Sequence, residues 1–342
     1  MKYLISAYSG LGNTIQLSSL INLIKDSDIK AEITFISDNK FSQIDFLNML
    51  EGINVKKIEK VNLLTQIFYL KRYIEEDIDK VILPYVGTPI IVQLASYLSG
   101  KIIIQHNPIN WNKSKVILHL FKKFNSKIKA LKINKESIEE ERYIDLIQDF
   151  IKSRKSNTNL NINLSSHNSI LKKFALPHEF LCLQVGGANG GLTPKVWPKE
   201  NIEKFVELLN KHKPECIVVL LGDKSDREKY KINNPNAINL IGKTSIIELV
   251  NILNASSAVI CNDSSILHIA NLFQLKTFVL LGPSIKEFPL SSSISTVSAD
   301  LPCMPCLDGL KVGEEEALNN CPIDNLCMKL VSPEQVLNKL ID

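Results

Sequence analysis

The sequence lacks the features that would place it in several large classes of protein. No apolar run approaches the roughly 18–20 residues of a membrane span. The N-terminal stretch MKYLISAYSGLGN leads directly into a strand and a glycine turn, which is not the pattern of a signal peptide. A net charge of +4 is too small to indicate a nucleic-acid partner. We therefore expect a cytoplasmic globular protein that does not bind nucleic acid.

Two ligand-binding patterns are also missing. Ser9-Gly10-Leu11-Gly12-Asn13 is a predicted tight turn after a first strand, but a dinucleotide fingerprint needs a third glycine where this chain has Ile15. Asp77 and Asp79 have the D-x-D spacing of some metal-binding sugar-nucleotide enzymes, but they close a helix before a strand and are expected to be solvated. The glycine turn still predicts a close approach of the backbone to a ligand.

What the sequence does contain is an alternation of short apolar strands with helical patterns. This alternation predicts the α/β class, with doubly wound parallel sheets of the Rossmann-like kind. At 342 residues the chain is long enough for two domains, and the Asn- and Ser-rich stretch Arg154–Ser169 indicates the linker. We predict one domain over residues 1–165 and a second over 166–342, the second with a Cys-rich loop at 303–327 and a terminal helix.

The stretch Leu240–Ser284 predicts a ligand site in the second domain. It has the pattern of helix, strand, polar turn, helix and strand, and Asp263-Ser264-Ser265 forms the turn before the second helix. The N-terminus of a helix binds phosphate because its free N–H groups and its dipole carry partial positive charge. His268 lies one turn into that helix, near the same opening. The alternative is that Asp263 only caps the helix.

Two more loops of the second domain fit a phosphorylated ligand. Gly186 and Gly187 begin a glycine-rich loop after a predicted strand, and such a loop brings main-chain N–H groups against phosphate oxygens. Lys195 follows this loop and can supply a positive charge. Asp223 and Asp226 lie in an acidic turn that suits a ribose diol.

Two features of the first domain each allow two interpretations. His106 ends a predicted strand, at the edge where open α/β sheets bind ligands, but a loop histidine without a chemical role has the same pattern. Trp111–Lys135 interleaves lysines with apolar residues and predicts a basic amphipathic helix. Such a helix can lie on an anionic membrane surface, or it can be a solvated helix whose apolar stripe is core.

Four of the seven cysteines are clustered near the C-terminus. They have the spacing C-x2-C-x14-C-x5-C and are Cys303, Cys306, Cys321 and Cys327. Four thiolates with this clustering can form a closed tetrahedral zinc site, which would be structural because it leaves no open position for catalysis. Reduced thiols that pack, or an opportunistic disulfide, are the alternatives.

These motifs together resemble those of glycosyltransferase family 9, the heptosyltransferases of the lipopolysaccharide core. The family has a Gly-x-Gly-Asp turn, a Lys-x-Trp-Pro motif, an Asp-Thr-Gly-x-x-His helix start and a strand that ends in Gly-Pro-Thr or Gly-Pro-Ser. In this chain the matching segments are Gly10–Asn13, Lys195–Pro198, Asp263–His268 and Gly282–Ser284. The resemblance covers nearly the whole chain and implies the GT-B architecture, two Rossmann-like domains that face a cleft.

The resemblance also implies a reaction. It is the transfer, with inversion, of a sugar from a nucleoside diphosphate sugar such as ADP-heptose to a lipopolysaccharide-core or other surface-glycan acceptor, at the inner face of the membrane. Lys195 and the helix terminus would stabilise the leaving diphosphate, so no metal or other cofactor would be required. The matched motifs imply donor binding by Lys195, Asp263, Ser264, Ser265 and His268, and acceptor binding by Gly10, Gly12 and Asn13. The loops described above add Gly186, Gly187, Asp223 and Asp226 to the expected donor site. The candidate catalytic residues are Asn13, Lys195 and, as another possible base, His106.

The chain departs from the family pattern at two positions. Asn13 stands where the family has an Asp that resembles the general base, and an amide cannot accept that proton at neutral pH. Ser265 stands where the family has a glycine, although its hydroxyl can donate a hydrogen bond. Two alternatives therefore stay open. One is a non-hydrolysing sugar-nucleotide epimerase, and the other is a non-catalytic protein that binds nucleotide sugars.

Overall fold

The computed structural model describes all residues except 39, 41, 59–61, 85–87, 107–111, 134–138, 149–159, 188–193, 285–290, 300, 308–318 and 342. The chain divides into two compact units, Met1–Asn163 and Leu164–Asp342, near the division predicted after residue 165. Each unit contains a six-stranded sheet with helices, and the strands of both sheets pair in parallel. The predicted pair of Rossmann-like α/β sheets is confirmed.

The first unit has the sheet order β3-β2-β1-β4-β5-β6. The direction of winding reverses between β1 and β4, which pair directly. Its strands are β1 (Lys2–Ser6), β2 (Glu32–Ser37), β3 (Ile53–Lys57), β4 (Lys80–Leu83), β5 (Ile102–His106) and β6 (Ile128–Leu131). Its helices are α1 (Leu11–Leu17), α2 (Ser19–Ser27), α3 (Gln43–Leu47), α4 (Leu63–Asp77), α5 (Ile90–Leu98), α6 (Asn112–Phe124) and α7 (Glu139–Ile147).

The second unit repeats this plan, with the sheet order β12-β11-β10-β7-β8-β9 and the reversal between β7 and β10. Its strands are β7 (Phe180–Gln184), β8 (Ile217–Leu221), β9 (Ala237–Asn239), β10 (Ala258–Asn262), β11 (Thr277–Leu281) and β12 (Ile294–Ser298). Its helices are α8 (His167–Phe174), α9 (Lys199–His212), α10 (Ile246–Ala255), α11 (Ser265–Leu272), α12 (Leu326–Lys329) and α13 (Pro333–Ile341).

The central strands have continuous apolar sequences because helices cover both faces of a doubly wound sheet. Every residue of β7, β10 and β11 is buried, although each strand has only five residues. Polar side chains enter these strands mainly at the carboxyl ends, as with Gln184 and Asn262. The sequence of the strands therefore directs polar groups to the edge at which such sheets bind ligands.

Several predicted elements differ from the observed ones. The single helix predicted over Trp111–Lys135 is wrong, because α6 ends at Phe124 and the next apolar residues form β6. The predicted linker Arg154–Ser169 extends too far, since α8 begins at His167; residues 149–159 lie outside the described part of the chain. The predicted turn over residues 9–13 is also too long, because α1 already begins at Leu11.

Candidate functional site

Polar side chains of the second unit meet at the point where its winding reverses. Gln184 ends β7, and its Oε1 accepts hydrogen bonds from the backbone N–H of Asn262 at 3.2 Å and from the hydroxyl of Ser264 at 2.8 Å. Asn262 ends β10, and its Nδ2 donates to the carbonyl oxygen of Gly186 at 3.1 Å. These bonds bring the start of the glycine loop and the start of α11 to the same edge of the sheet.

The start of α11 is capped by Ser264. Its hydroxyl oxygen accepts a hydrogen bond from the backbone N–H of Ile266 at 3.2 Å. Asp263 instead forms an ion pair with Lys195, whose Nζ lies 2.8 Å from Oδ2 while the two side chains are only 11% and 18% exposed. The alternative in which Asp263 only caps the helix is therefore wrong. Two residues predicted to bind the donor contact each other directly.

The surroundings of this ion pair set the charge of its neighbours. Burial acts most strongly on Asp263 and would raise its pKa, but the charge of Lys195 and its contact with the carboxylate hold that pKa below its usual range. Burial lowers the pKa of His268 to about 4; Asp263 opposes this shift and Lys195 adds to it. At neutral pH the site therefore contains a Lys–carboxylate pair beside a neutral imidazole.

The glycine loop begins over a buried carboxyl group. Gly186 has φ = +68°, and a Cβ at this position would lie 2.2 Å from Cγ of Asp226, so the position requires glycine. Asp226 is fully buried, and its Oδ2 accepts from the backbone N–H of Asp223 at 3.0 Å. Burial raises the pKa of Asp226, and hydrogen bonds from the backbone of Asp223 and Gly187 oppose the rise. Asp226 thus supports the loop, while Asp223 is the exposed member of the acidic turn.

The segment that carries Lys195 is fixed by the tryptophan of its Lys-x-Trp-Pro motif. Trp197 is fully buried, and its ring centroid lies 5.9 Å from that of Phe205 on α9. Its Nε1 donates to the carbonyl oxygen of Val331 at 2.8 Å. Asn201 donates to the same carbonyl at 3.1 Å. The motif therefore places its lysine by anchoring the chain two residues later in the core.

The predicted acceptor residues lie at the carboxyl edge of the first unit's own sheet. Gly10 is the residue before α1, and its carbonyl oxygen accepts from the backbone N–H of Thr14 at 3.1 Å. Gly12 and Asn13 lie in the first turn of α1, and Asn13 is half-buried. A Cβ at Gly10 would meet no atom of the described residues within 4 Å.

His106 is the last residue of β5 and is buried. Burial lowers its pKa to about 4; a hydrogen bond to the backbone of Arg142 opposes this shift, and the charge of Arg142 adds to it. The side chain of Arg142, on α7, is itself buried. His106 is therefore a neutral strand residue rather than a loop residue, and a group with so low a pKa is a weak general base.

The four clustered cysteines differ in exposure. Cys303 and Cys306 are exposed, Cys321 is half-buried and Cys327 is buried. Burial, and then the charges of the other three thiols, raise the pKa of Cys327 to about 11 despite a hydrogen bond from the backbone. Across the described residues, which include all four cysteines, no group of three or more His, Cys, Asp or Glu side chains is arranged to hold a metal ion. A zinc site here stays a prediction.

Three residues of these sites were not predicted from the sequence. Gln184 and Asn262 could have been found, because each is a polar residue that ends an apolar strand next to a predicted loop. Arg142 could not, because nothing in the spacing of α7 indicates that its guanidinium is buried against β5.

Fold and site together define a class of protein. The chain has two Rossmann-like units, and in the second a lysine, a glycine loop and a helix N-terminus lie where the winding of the sheet reverses. This combination is typical of GT-B glycosyltransferases that bind nucleotide sugars. Throughout the part of the chain that the structure describes, no helix is both long enough and apolar enough to cross a membrane.

Comparison with known proteins identifies the family. The model of glycosyltransferase family 9 (heptosyltransferase) matches residues 120–315, which is more than half of the chain. The chain belongs to this family. Lipooligosaccharide heptosyltransferase 2 of Campylobacter jejuni is 26% identical, in a match that covers 66% of this chain and 71% of that protein.

Solved structures agree in fold. ADP-heptose lipopolysaccharide heptosyltransferase II of Escherichia coli has a TM-score of 0.75 at 19% identity, covering 100% of this chain and 98% of its own. E. coli heptosyltransferase WaaC with ADP has a TM-score of 0.66 at 14% identity, covering 100% and 99%. These likenesses confirm the GT-B class.

Proposed function

We propose that this protein transfers a heptose or a related sugar from a nucleoside diphosphate sugar to a lipopolysaccharide-core or other surface-glycan acceptor, with inversion at the anomeric carbon. The observation that carries the proposal is the Lys195–Asp263 pair at the start of α11, beside Gly186. Related heptosyltransferase structures contain ADP or ADP-2-deoxy-2-fluoro heptose, which favours ADP-heptose or a similar donor.

The reaction moves negative charge onto the leaving group. The acceptor oxygen forms a bond to the anomeric carbon as the bond from that carbon to the diphosphate oxygen breaks, and the electron pair leaves with the diphosphate. Lys195 and the N–H groups at the start of α11 stabilise that charge, while neutral His268 can donate one hydrogen bond. Asp263 holds the lysine in place until the diphosphate competes for it. Lys195 and the helix N-terminus supply the positive charge that a divalent metal ion would otherwise provide at the diphosphate. We therefore propose that transfer needs no metal.

The acceptor hydroxyl must also lose a proton. Asn13 cannot take this proton, and we propose that its amide instead positions the acceptor beside Gly10 and Gly12. His106 is neutral and so able to accept a proton, but its pKa of about 4 makes it a weak base. If His106 serves as the base, His106→Gln lowers kcat at least tenfold and removes the acidic limb of the pH profile. An unchanged profile excludes it.

We further propose that the reaction takes place on the cytoplasmic side of a membrane, where a lipid-linked acceptor is exposed and the protein binds peripherally. Nucleoside diphosphate sugars are made in the cytoplasm, and the chain has a lysine-rich helix, α6, that fits an anionic surface.

A binding screen tests the donor site first. Calorimetry with ADP, GDP, UDP and their sugars is expected to give selective binding of one nucleotide, at least tenfold weaker in Lys195→Ala. Binding of none of them would exclude the assignment of Lys195 and Asp263–His268 to the donor. Release of the nucleotide in the presence of acceptor then separates the transferase from a non-catalytic binding protein, and an acceptor-independent change of the sugar would identify an epimerase.

A further inference from the structure

A long stretch of the first unit contains no acidic residue. Between Lys80 and Lys135 the sequence has ten lysines and neither Asp nor Glu, in a chain with 40 basic and 36 acidic residues. Because the whole chain carries only +4, the rest of it is net negative. The lysine-rich stretch forms β4, α5, β5, α6 and β6, which together make one half of the first sheet with its helices. Positive charge is therefore concentrated on that half.

Helix α6 exposes apolar side chains among these charges. Leu118 is buried in the core of the first unit, and Phe121 packs against α5, so these two residues form the inner stripe of the helix. Val116 and Leu120 lie outside that stripe and are 59% and 48% exposed. Lys123 is exposed on the same outer side, one turn beyond Leu120. The exposed apolar residues of α6 are thus not its core stripe.

A second apolar surface lies on α4, in the same helix layer. Leu70 and Ile74 of α4 are buried in the same core as Leu118 of α6, so both helices cover the same face of the sheet. Leu64, Phe68 and Tyr69 point away from that core and are 77%, 61% and 66% exposed. Single exposed apolar residues are ordinary, but five on two helices of one layer are not.

We infer that the outer face of α4 and α6 docks on an anionic phospholipid bilayer. The docking surface is formed by Leu64, Phe68 and Tyr69 of α4 and by Val116, Leu120 and Lys123 of α6. This inference rests on the proposed function, because a lipid-linked acceptor places the enzyme at such a membrane, but its test needs neither donor nor acceptor.

The chemistry of the surface selects a bilayer from other occupants. Apolar and aromatic side chains enter the boundary between headgroups and acyl chains, while lysines beside them remain at the headgroups and attract anionic lipid. A nucleic acid would leave the apolar groups without a partner. A water-soluble acidic glycan would pair with the lysines but would not cover Leu64 or Phe68.

Vesicle binding by the full chain tests the inference. We expect the wild-type protein to sediment with phosphatidylcholine vesicles that contain 30% phosphatidylglycerol, to bind pure phosphatidylcholine far less, and to be released in 0.5 M NaCl. Lys123→Gln is expected to weaken binding about fivefold, since each lysine near such a surface contributes about that much. Phe68→Ser with Leu120→Ser is expected to weaken it at least tenfold.

Matched controls separate this surface from general effects. Lys204→Gln with Lys211→Gln removes two exposed lysines of α9, and Ile247→Ser removes an exposed apolar residue of α10; both should bind like the wild type. Thermal unfolding confirms that each variant folds, and calorimetry with nucleotide is expected to be unchanged in all of them. If the wild-type protein binds no nucleotide, the proposed function is rejected, but the result of the vesicle-binding test is unaffected.

Three results would overturn the inference. The first is equal binding to neutral and anionic vesicles, or binding to neither. The second is equal loss of binding in the α9 and α10 controls. The third is that the α4 and α6 variants lose transfer to a lipid-free core oligosaccharide as strongly as to a membrane-embedded acceptor, which would make this face an acceptor site or a protein interface.

Discussion

Removal of the lysine from the Lys195–Asp263 pair should destabilise the protein in a manner that depends on pH. Lys195→Met keeps most of the side-chain volume and leaves the Asp263 carboxylate without its cation. Burial is the largest influence on the pKa of Asp263, and Lys195 is the main group that offsets it. In the variant we therefore expect that pKa to rise above its ordinary value of about 3.9.

The magnitude follows from the burial of the pair. Removing one partner of a fully buried ion pair costs about 3–5 kcal/mol. Since these side chains retain 18% and 11% exposure, we expect Lys195→Met to cost about 2–4 kcal/mol at pH 7. The carboxylate becomes protonated as pH falls toward 4, and that deficit should shrink with it. In the wild type the pKa of Asp263 is lowered, so the ionised carboxylate contributes stability above pH 4. That contribution is lost as the pH falls further, which is the opposite of the behaviour of the variant.

Urea unfolding of four proteins measures this effect. Lys195→Met, Asp263→Asn, the double variant and wild type form a cycle in which we expect about 1–3 kcal/mol of coupling. Lys199→Met is the matched control, because its 3.3 Å pair with Glu203 is well exposed and should contribute less than about 1 kcal/mol. A Lys195→Met deficit no larger than that control, or one that stays constant from pH 7 to pH 4, would refute the argument.

Three other predictions follow from local contacts. Gly186→Ala forces a Cβ into the carboxyl group of Asp226 at a positive φ, and should cost about 2–4 kcal/mol in denaturant unfolding and weaken nucleotide binding in calorimetry. Gly100→Ala shares the φ, but its Cβ would meet no described residue within 4 Å, so it should leave nucleotide binding intact. Trp197→Phe leaves the buried carbonyl of Val331 with Asn201 as its one donor among the described residues and should cost about 1–3 kcal/mol by the same measurement. A cost under 0.5 kcal/mol would contradict that. Elemental analysis of the purified chain tests the predicted zinc site at the four clustered cysteines. One zinc per molecule, lost in Cys303→Ser with Cys306→Ser, would establish the site, and a metal-free protein that remains folded would exclude it.

The strands and most helices could be predicted because their signals are local. Ile217–Leu221 and Thr277–Leu281 are continuous apolar runs between polar turns, which is the pattern of a buried strand, and both runs are strands in the structure. The error at Trp111–Lys135 has the same origin. A short apolar run after lysines fits a helix or a buried strand equally well, and only pairing with β5 makes Ile128–Leu131 a strand.

The sequence could indicate some residues of the candidate site but not their partners. It pointed to the helix start at Asp263–His268 and to Lys195, and the structure places Lys195 within 2.8 Å of Asp263. That Ser264 is the cap, while Asp263 binds Lys195, depends on where the carboxyl ends of β7 and β10 lie relative to each other. The burial of Asp226 beneath Gly186 likewise depends on tertiary structure, because an acidic turn has the same sequence whether it faces a ribose or a loop.

The bond from Trp197 to Val331 also bears on the order in which the protein is made. Its acceptor is 134 residues further along the chain, and Val336 and Leu337 of α13 complete the same core. During translation, the indole of Trp197 cannot form this hydrogen bond until almost all of the second unit has been synthesised. The lysine two residues before it would be unanchored during that time, so donor binding should be acquired late, after release of the C-terminal segment from the exit tunnel.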